Sequence, residues 1–333
     1  MPEPLVVQVI RRFKNDVLMR EEAQRMEMAT RYLEVERRLD AQIAALAQDL
    51  ADVRDDGGTV SESKLFEMHR YKAMRAQLDD ELTWYMDDYA EPRIRQGQFS
   101  FMRTGLDEAA QAIEASFSGQ MAPYFDRLPI EATENMVGLC GDGSPLRALL
   151  RQAYPATLQA ITTELVNATA LGVNPREVAR RMLQEKLATG LNRAMVLART
   201  EQLRVYREAS RQQYLTSGLV TRFRRISARN ARTCMACLVS DGEWFPISKP
   251  ITDHPNGRCT GVPEVRGART PVWQQGPSWF REQPESLQVQ MMGADYYDAW
   301  RSGAFKLKDL RSTVRNDTWG DSPQVTPLSK LIQ

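Results

Sequence analysis

Four residues in the last third of the chain have the types and spacing to bind a metal: Cys234, Cys237, His254 and Cys259, a C-x2-C, x16, H-x4-C array. Two thiols separated by two residues can face one ion, and a Cys3His set completes the tetrahedral, closed sphere of a structural zinc site. With four protein ligands there is no open position for water, so a catalytic zinc is disfavoured. The chain has only two histidines and four cysteines, and four of those six stand here. Asp241 and Gly242 can turn a hairpin that brings the distant His/Cys pair back. The segment has few apolar residues of its own, chiefly Trp244, Phe245 and Ile247, so metal would supply folding free energy that its core lacks. A redox CxxC, which needs a βαβ setting that the preceding RNART does not offer, and a chance cluster are the competing readings. Cys140 reads as a buried or idle thiol, and His69 as a surface or seam residue on a long helix.

Other chemistry is thinly signalled. The run GLCGDG at residues 138–143 lacks the GK[ST] of a phosphate loop and reads as a turn. There is no HExxH, nucleophile elbow or Ser/His/Asp set, and an enzyme is not expected. The net charge of +1 hides an uneven distribution: −7 over residues 1–118, +6 over 119–225 and +2 over 226–333. Residues 193–232 hold ten arginines, no lysine and only Glu201 and Glu208, a net +8. Arginine's planar fork suits phosphate or carboxylate. Arg193, Arg204, Arg207, Arg211, Arg222, Arg224 and Arg225 are therefore candidate contacts to nucleic acid or an acidic protein surface, against the simpler reading of a solvated Arg-rich helix face.

These residues need elements to position them, and the expected fold is mainly α, in four segments. Residues 1–118 read as a long antiparallel helical arm with coiled-coil spacing at Val6, Ile10, Phe13 and Val17 and again at Leu39, Ile43, Leu46, Leu50 and Val53, slipping at 20–25. Gly57 and Gly58 end the first helix, and Thr59 with Glu62 forms a capping box for the second. That second helix carries Tyr71, Met74, Leu78, Leu82, Tyr85 and Tyr89 on one face, and Pro92 interrupts it. Residues 119–219 form a helical domain. One of its helices starts at Pro175, with Asn174 and Glu177 capping and Val173 stapled to Val178, and ends near Gly190. The next helix carries the arginines. Residues 220–270 form a small α+β zinc-type module, and 271–333 short helices and an extended tail. Deleting residues 1–55 is expected to leave the module folded.

At 333 residues, 42 % apolar and 26 % charged, the chain is neither wholly disordered nor a membrane protein. No apolar run approaches the roughly 18 residues of a bilayer span. No secretory signal is legible, and a reducing cytoplasm, where four cysteines serve as ligands or buried thiols, is expected.

Several runs together resemble the head morphogenesis proteins of tailed phages, the Mu F-like minor head proteins: LARTEQLRVYREASRQQYLTSGLV (197–220), ARTCMAC (231–237), the DG at 241–242, DHPNGRC (253–259), and the tail SWFREQPESLQVQMMGADYYDAWRSGAFKLKDL (278–310). The similarity covers most of the chain after about residue 129. Arg199, Thr200 and Glu201 match the family's ARTE motif, to which no chemical role attaches beyond helix packing. Two departures stand out. Gly257 occupies the first cysteine place of the family's HPxCRC, and Arg225 and Asn230 stand where an aromatic and an acid are common. The resemblance implies a low-copy minor capsid protein in the virion, at the capsid interior or portal vertex, made in the host cytoplasm. Its implied partners are the portal protein and capsid or scaffold components, with double-stranded DNA and a homo-oligomer through the arm as further contacts, and no membrane. The rival readings are a zinc-dependent nucleic-acid-binding regulator, for which no helix-turn-helix is visible, and an enzyme.

Overall fold

The computed structural model describes residues 2–58, 62–152, 163, 188–315 and 321–332. The chain is mainly α-helical, with a long N-terminal helix and a small sheet-containing C-terminal region. Its residues fall into two compact units, and neither follows the divisions expected at 118, 219 and 270. The first unit gathers residues 1–20, 97–143 and 199–333, and the second 21–96 and 144–198.

Helix α1 (Leu5–Asp55) is a single element of 51 residues. The slip at 20–25 is not a break: Glu21 and Gln24 take buried seam positions, and the Gln24 amide donates to the Arg93 carbonyl at 3.1 Å. After Gln24 the large buried residues are Met28, Tyr32, Val35, Leu39, Ile43, Leu46 and Leu50. Their steps of four, four, three and four follow an eleven-residue rhythm, closer than a heptad to the natural period of a helix. In the second unit the antiparallel partner is fixed by Glu27 with Arg93, Arg38 with Glu81 and Asp49 with Arg70. Tyr85 sits edge-on to Tyr32 at 4.9 Å and donates to the Met28 carbonyl. The helix ends as its glycines require: Gly57 has φ +78°, and the Gly58 N–H returns to the Val53 carbonyl. Thr59 lies outside the described residues.

The returning strand of the arm is α2 (Glu62–Glu67), α3 (His69–Thr83), a π-helical turn (Trp84–Ala90) and α4 (Glu91–Ser116). Pro92 does not interrupt it. A proline ring collides with the carbonyl four residues back in an α-helix, and the wider turn just before it, where the Glu91 N–H bonds to Met86, relieves that crowding. A tight turn at 140–143 and α5 (Leu146–Gln152) follow. The helix expected from Pro175 lies outside the described residues. Gly190 does not end a helix but lies inside α6 (Ala188–Ser217), which Gly218 terminates at φ +64°.

The first unit is built around strand β1 (Val220–Ile226), the centre of an antiparallel sheet ordered β2 (Trp244–Pro246), β1, β3 (Thr260–Val265). Val220, Ile226, Val262 and Val265 share one core with Val6, Val7 and Ile10 of α1, Ala109, Ala112 and Ile113 of α4, and Tyr214 of α6. The segment 220–270 is therefore not free-standing. Removing residues 1–55 strips one wall of its core, contrary to the expectation from sequence. The polar seam residue here is Lys14 rather than Phe13: it is 4 % exposed and donates to the Ile226 carbonyl at 3.1 Å. Helix α7 (Met235–Val239) carries Met235 and Leu238 into a second core with Phe280, Met292, Tyr297, Phe305 and Leu310 of the tail. The tail holds α8 (Gly276–Arg281), α9 (Glu285–Met292), α10 (Ala294–Arg301), the β4 (Arg311–Val314) and β5 (Ser322–Val325) ladder, and α11 (Leu328–Leu331). No described helix is long and apolar enough to cross a membrane.

Two positions in the first unit are sensitive. A Cβ on Gly105 of α4 would lie 2.4 Å from the Tyr206 carbonyl and 3.0 Å from Ser210 Oγ of α6. Gly105→Ala should therefore destabilise the fold by about 1–3 kcal/mol in chemical denaturation. Glu108, fully buried and bonded to the Tyr206 hydroxyl, has its carboxyl pushed well above the usual range by burial, against the pull of Lys14 and Ser210. The folded state thus keeps a proton that the unfolded chain releases, and this contribution to stability falls as pH rises from the ordinary glutamate range through the raised value. Lys14, lowered by burial to about 8, acts in the opposite sense only above that pH. Glu108→Gln should flatten the dependence of the melting temperature on pH between about 4.5 and 8; an unchanged slope contradicts the assignment.

Candidate metal centre

The CxxC pair sits at the start of α7 because Cys234 is its N-cap, its sulfur accepting from the Cys237 N–H at 3.3 Å. Both thiols then face the same side. Asp241 and Gly242 do not form a two-residue hairpin; they turn the chain from α7 into β2. The Asp241 carboxylate takes the Ser227 N–H and hydroxyl and the Arg229 fork, and the Gly242 N–H, at φ +104°, bonds to the Arg225 carbonyl. The His/Cys pair is presented by residues 254–257, a turn closed by the Gly257 N–H on the His254 carbonyl at 2.8 Å. Pro255 fits its first central position, and Asn256, at φ +64°, its left-handed second.

These elements gather the four sequence-predicted ligands into two overlapping groups, Cys234 with Cys237 and His254, and Cys237 with Asp253 and Cys259. His254 Nε2 lies 3.2 Å from both Cys234 Sγ and Cys237 Sγ, and donor atoms of Cys237, Cys259 and Asp253 all lie within 4.8 Å of one another. The His254 Nδ1 is 2.7 Å from the Pro255 carbonyl. A carbonyl only accepts, so Nδ1 carries the proton and Nε2 offers its lone pair to the cluster, the arrangement of a ligating histidine. Bonds of about 2.3 Å to sulfur and 2.0 Å to nitrogen at tetrahedral angles place donor atoms about 3.5–3.8 Å apart, close to the 3.2 Å of His254 from Cys234 and Cys237, and Cys259 has to draw in for all four to share one ion. The three thiols differ in their tendency to ionise. A hydrogen bond from Cys237 lowers the Cys234 thiol, while that same bond and burial push Cys237 up, and contact with Cys237 and burial raise Cys259. The residues present can hold a metal ion.

Asp253, within the quoted DHPNGRC but not singled out from sequence, is the centre's second layer. Its side chain is fully buried, and Oδ1 accepts from Arg225 at 2.7 Å and from the His254 N–H at 3.1 Å. Oδ2 accepts from the Cys259 N–H at 3.1 Å and faces Arg207 at 3.8 Å. Burial opposes its charge, but Arg225 and Arg207 outweigh that and hold its carboxyl below the usual range. A Cβ on Gly257 would fall 2.0 Å from the Asp253 Cγ, so the place that carries cysteine in the resembled family has no room for a side chain here. Arg225 also donates to the Thr252 carbonyl at 2.9 Å and touches Cys237 Sγ at 3.5 Å. Thr200 of α6 gives part of the ARTE motif a structural use: its hydroxyl accepts the N–H of strained Asn256 at 3.1 Å. Glu201, fully buried, holds Arg204, and Arg199 is 7 % exposed.

The arginine stretch is not one surface, a correction to the sequence reading. Alternation along β1 turns Arg225 inward and Arg222 and Arg224 outward. Arg225 at 1 % and Arg207 at 9 % side-chain exposure are committed to the centre and cannot meet a polymer's phosphates. Arg204 is tied to Glu201 and the Leu139 carbonyl, and Arg211 to Glu208 and the Ile247 carbonyl. Arg222 pairs with Glu264, and Arg222 and Arg224 flank Trp244 at 4.1 and 4.3 Å. Arg193 is exposed on α6. Cys140 is buried away from the cluster.

Comparison with known proteins adds no relative: no family model, curated protein or solved structure matches the chain.

Cys234→Ser or His254→Ala should abolish metal binding by the purified protein, and Cys140→Ser should leave it unchanged. Asp253→Asn should cost about 3–5 kcal/mol, because Arg225 is left buried without its counter-charge. Arg222→Ala, on the outer face of the same strand, should cost less than about 1 kcal/mol. Equal losses at the two positions in chemical denaturation would contradict the assigned roles.

Proposed function

We propose that this chain is a structural assembly protein of the phage head, of the Mu F-like minor head kind, whose Cys3His cluster binds one structural zinc. The observation that carries this reading is convergence. Thr200, Cys234, Cys237, Asp241 with Gly242, Asp253, His254 and Cys259, scattered over residues 200–259, meet in one closed knot, with their polar groups spent on each other. The sequence pieces that carry the family resemblance thus have a common structural purpose. Zinc fits the donor set, since three thiolates and an imidazole are its usual closed sphere. Four protein donors leave no position for a reacting water, which favours a fold-fixing role over chemistry.

In this reading the protein is a low-copy internal or portal-vertex component of the virion. Its long helical arm provides surface for the portal, for capsid or scaffold proteins, or for further copies of itself. The regulator reading is weakened by the arginines: a DNA-reading surface needs guanidinium groups that protrude to reach phosphates and bases, whereas Arg225 is buried and Arg204, Arg207 and Arg211 are recessed in a cleft. Contact with packaged DNA, if made by this stretch, falls to Arg193, Arg222 and Arg224. Quantifying the protein in purified virions and in immature heads tests the role. A few copies per particle are expected in both, and absence from both would favour the regulator.

A further inference from the structure

Helix α6 carries Arg204, Arg207 and Arg211 at steps of three and four, which places them on one helical face. All three line a cleft of about 580 Å³ in the first unit. Leu128, Met136 and Ile251 are among the apolar residues of its other walls. That volume lies within the range of pockets that take a small organic molecule, about 300–1,000 Å³. The decisive group is Arg207. Its side chain is 9 % exposed, yet its one hydrogen bond among the described residues goes to the Gly257 carbonyl at 3.2 Å. The nearest carboxylate, Asp253, is 3.8 Å away and already bonded to Arg225. A guanidinium has five N–H donors, so a buried cation with most of its donors unfilled borders this cleft. Arg204 and Arg211 have partners in Glu201 and Glu208, but both stay partly exposed, so three guanidinium groups converge on the cleft.

We propose that this cleft is a binding site for a small phosphomonoester with an apolar body, of about nucleotide size. A phosphomonoester carries about −1.5 to −2 charges at neutral pH and accepts the paired donors of arginine forks, which suits three guanidinium groups converging on one cleft. The apolar walls take the body of the ligand. Arg207 ties occupancy to the centre, because the same side chain donates to Gly257 in the metal-binding loop.

The test is calorimetric titration of the full-length, metal-loaded protein with adenosine monophosphate, inorganic phosphate and citrate. Adenosine monophosphate should bind, inorganic phosphate should compete with it, and the affinity should fall as salt is raised. Arg211→Gln and Arg204→Gln should each weaken binding by about tenfold or more, the usual loss for a hydrogen bond to a charged group, while metal content stays at the wild-type level. Arg222→Gln, outside the cleft, should bind as wild type. Absence of binding by both phosphate probes, a cleft holding water alone, overturns the proposal. So does equal affinity in wild type and both cleft variants, and citrate binding tighter than adenosine monophosphate overturns the phosphate assignment.

Discussion

One buried carboxylate organises the functional half of this molecule. Asp253 takes the fork of Arg225, the backbone N–H groups of His254 and Cys259, and the charge of Arg207, all without access to water. An isolated carboxylate in such a place would be protonated or expelled; here its lone pairs are filled by groups that must be held in place for a metal to bind. With the proposed zinc in place, a divalent ion among three thiolates and a neutral imidazole leaves one negative charge, Asp253 adds a second, and Arg225 and Arg207 offset the two. Burying such a set is tolerable only because it is charge-balanced and the Asp253 acceptors are filled.

The apolar scaffold complements this polar knot rather than standing apart from it. Residues 234–259 hold few apolar side chains, yet the strands that flank them, β1 and β3, share a core with the start of α1, the end of α4 and the end of α6. On the other side α7 is anchored by the tail through Met235 and Leu238. The metal therefore has no need to fold an isolated finger; it locks a loop already framed by two cores. The first turns of α1 are correspondingly a wall of the centre's own support.

Much of this was legible in the sequence, and the failures have physical causes. The four donors, the helical arm and the glycine turn at residue 57 follow from spacing and residue type alone. The continuity of α1 through residues 20–25 did not, because polar Glu21 and Gln24 fill buried positions that a pattern of apolar residues cannot reveal. Pro92 read as a break because the π-helical turn that accommodates it has no clear sequence signature. Treating the arginines as one patch ignored the period of two along β1, which was itself readable: Phe223 and Arg225 share a face, so an inward Phe223 implies an inward Arg225. Asp253 was overlooked as an acid beside a ligand, although its place next to a Gly-containing loop was a usable signal. The dependence of 220–270 on α1 is a contact between segments more than two hundred residues apart, beyond the reach of local pattern.

X-ray absorption at the metal edge, on protein purified without a histidine tag, tests the central claim most directly. The account predicts one zinc per chain with three sulfur neighbours at about 2.3 Å and one nitrogen at about 2.0 Å. Protein that carries no zinc as purified and takes up none, or a first shell dominated by oxygen, would contradict it.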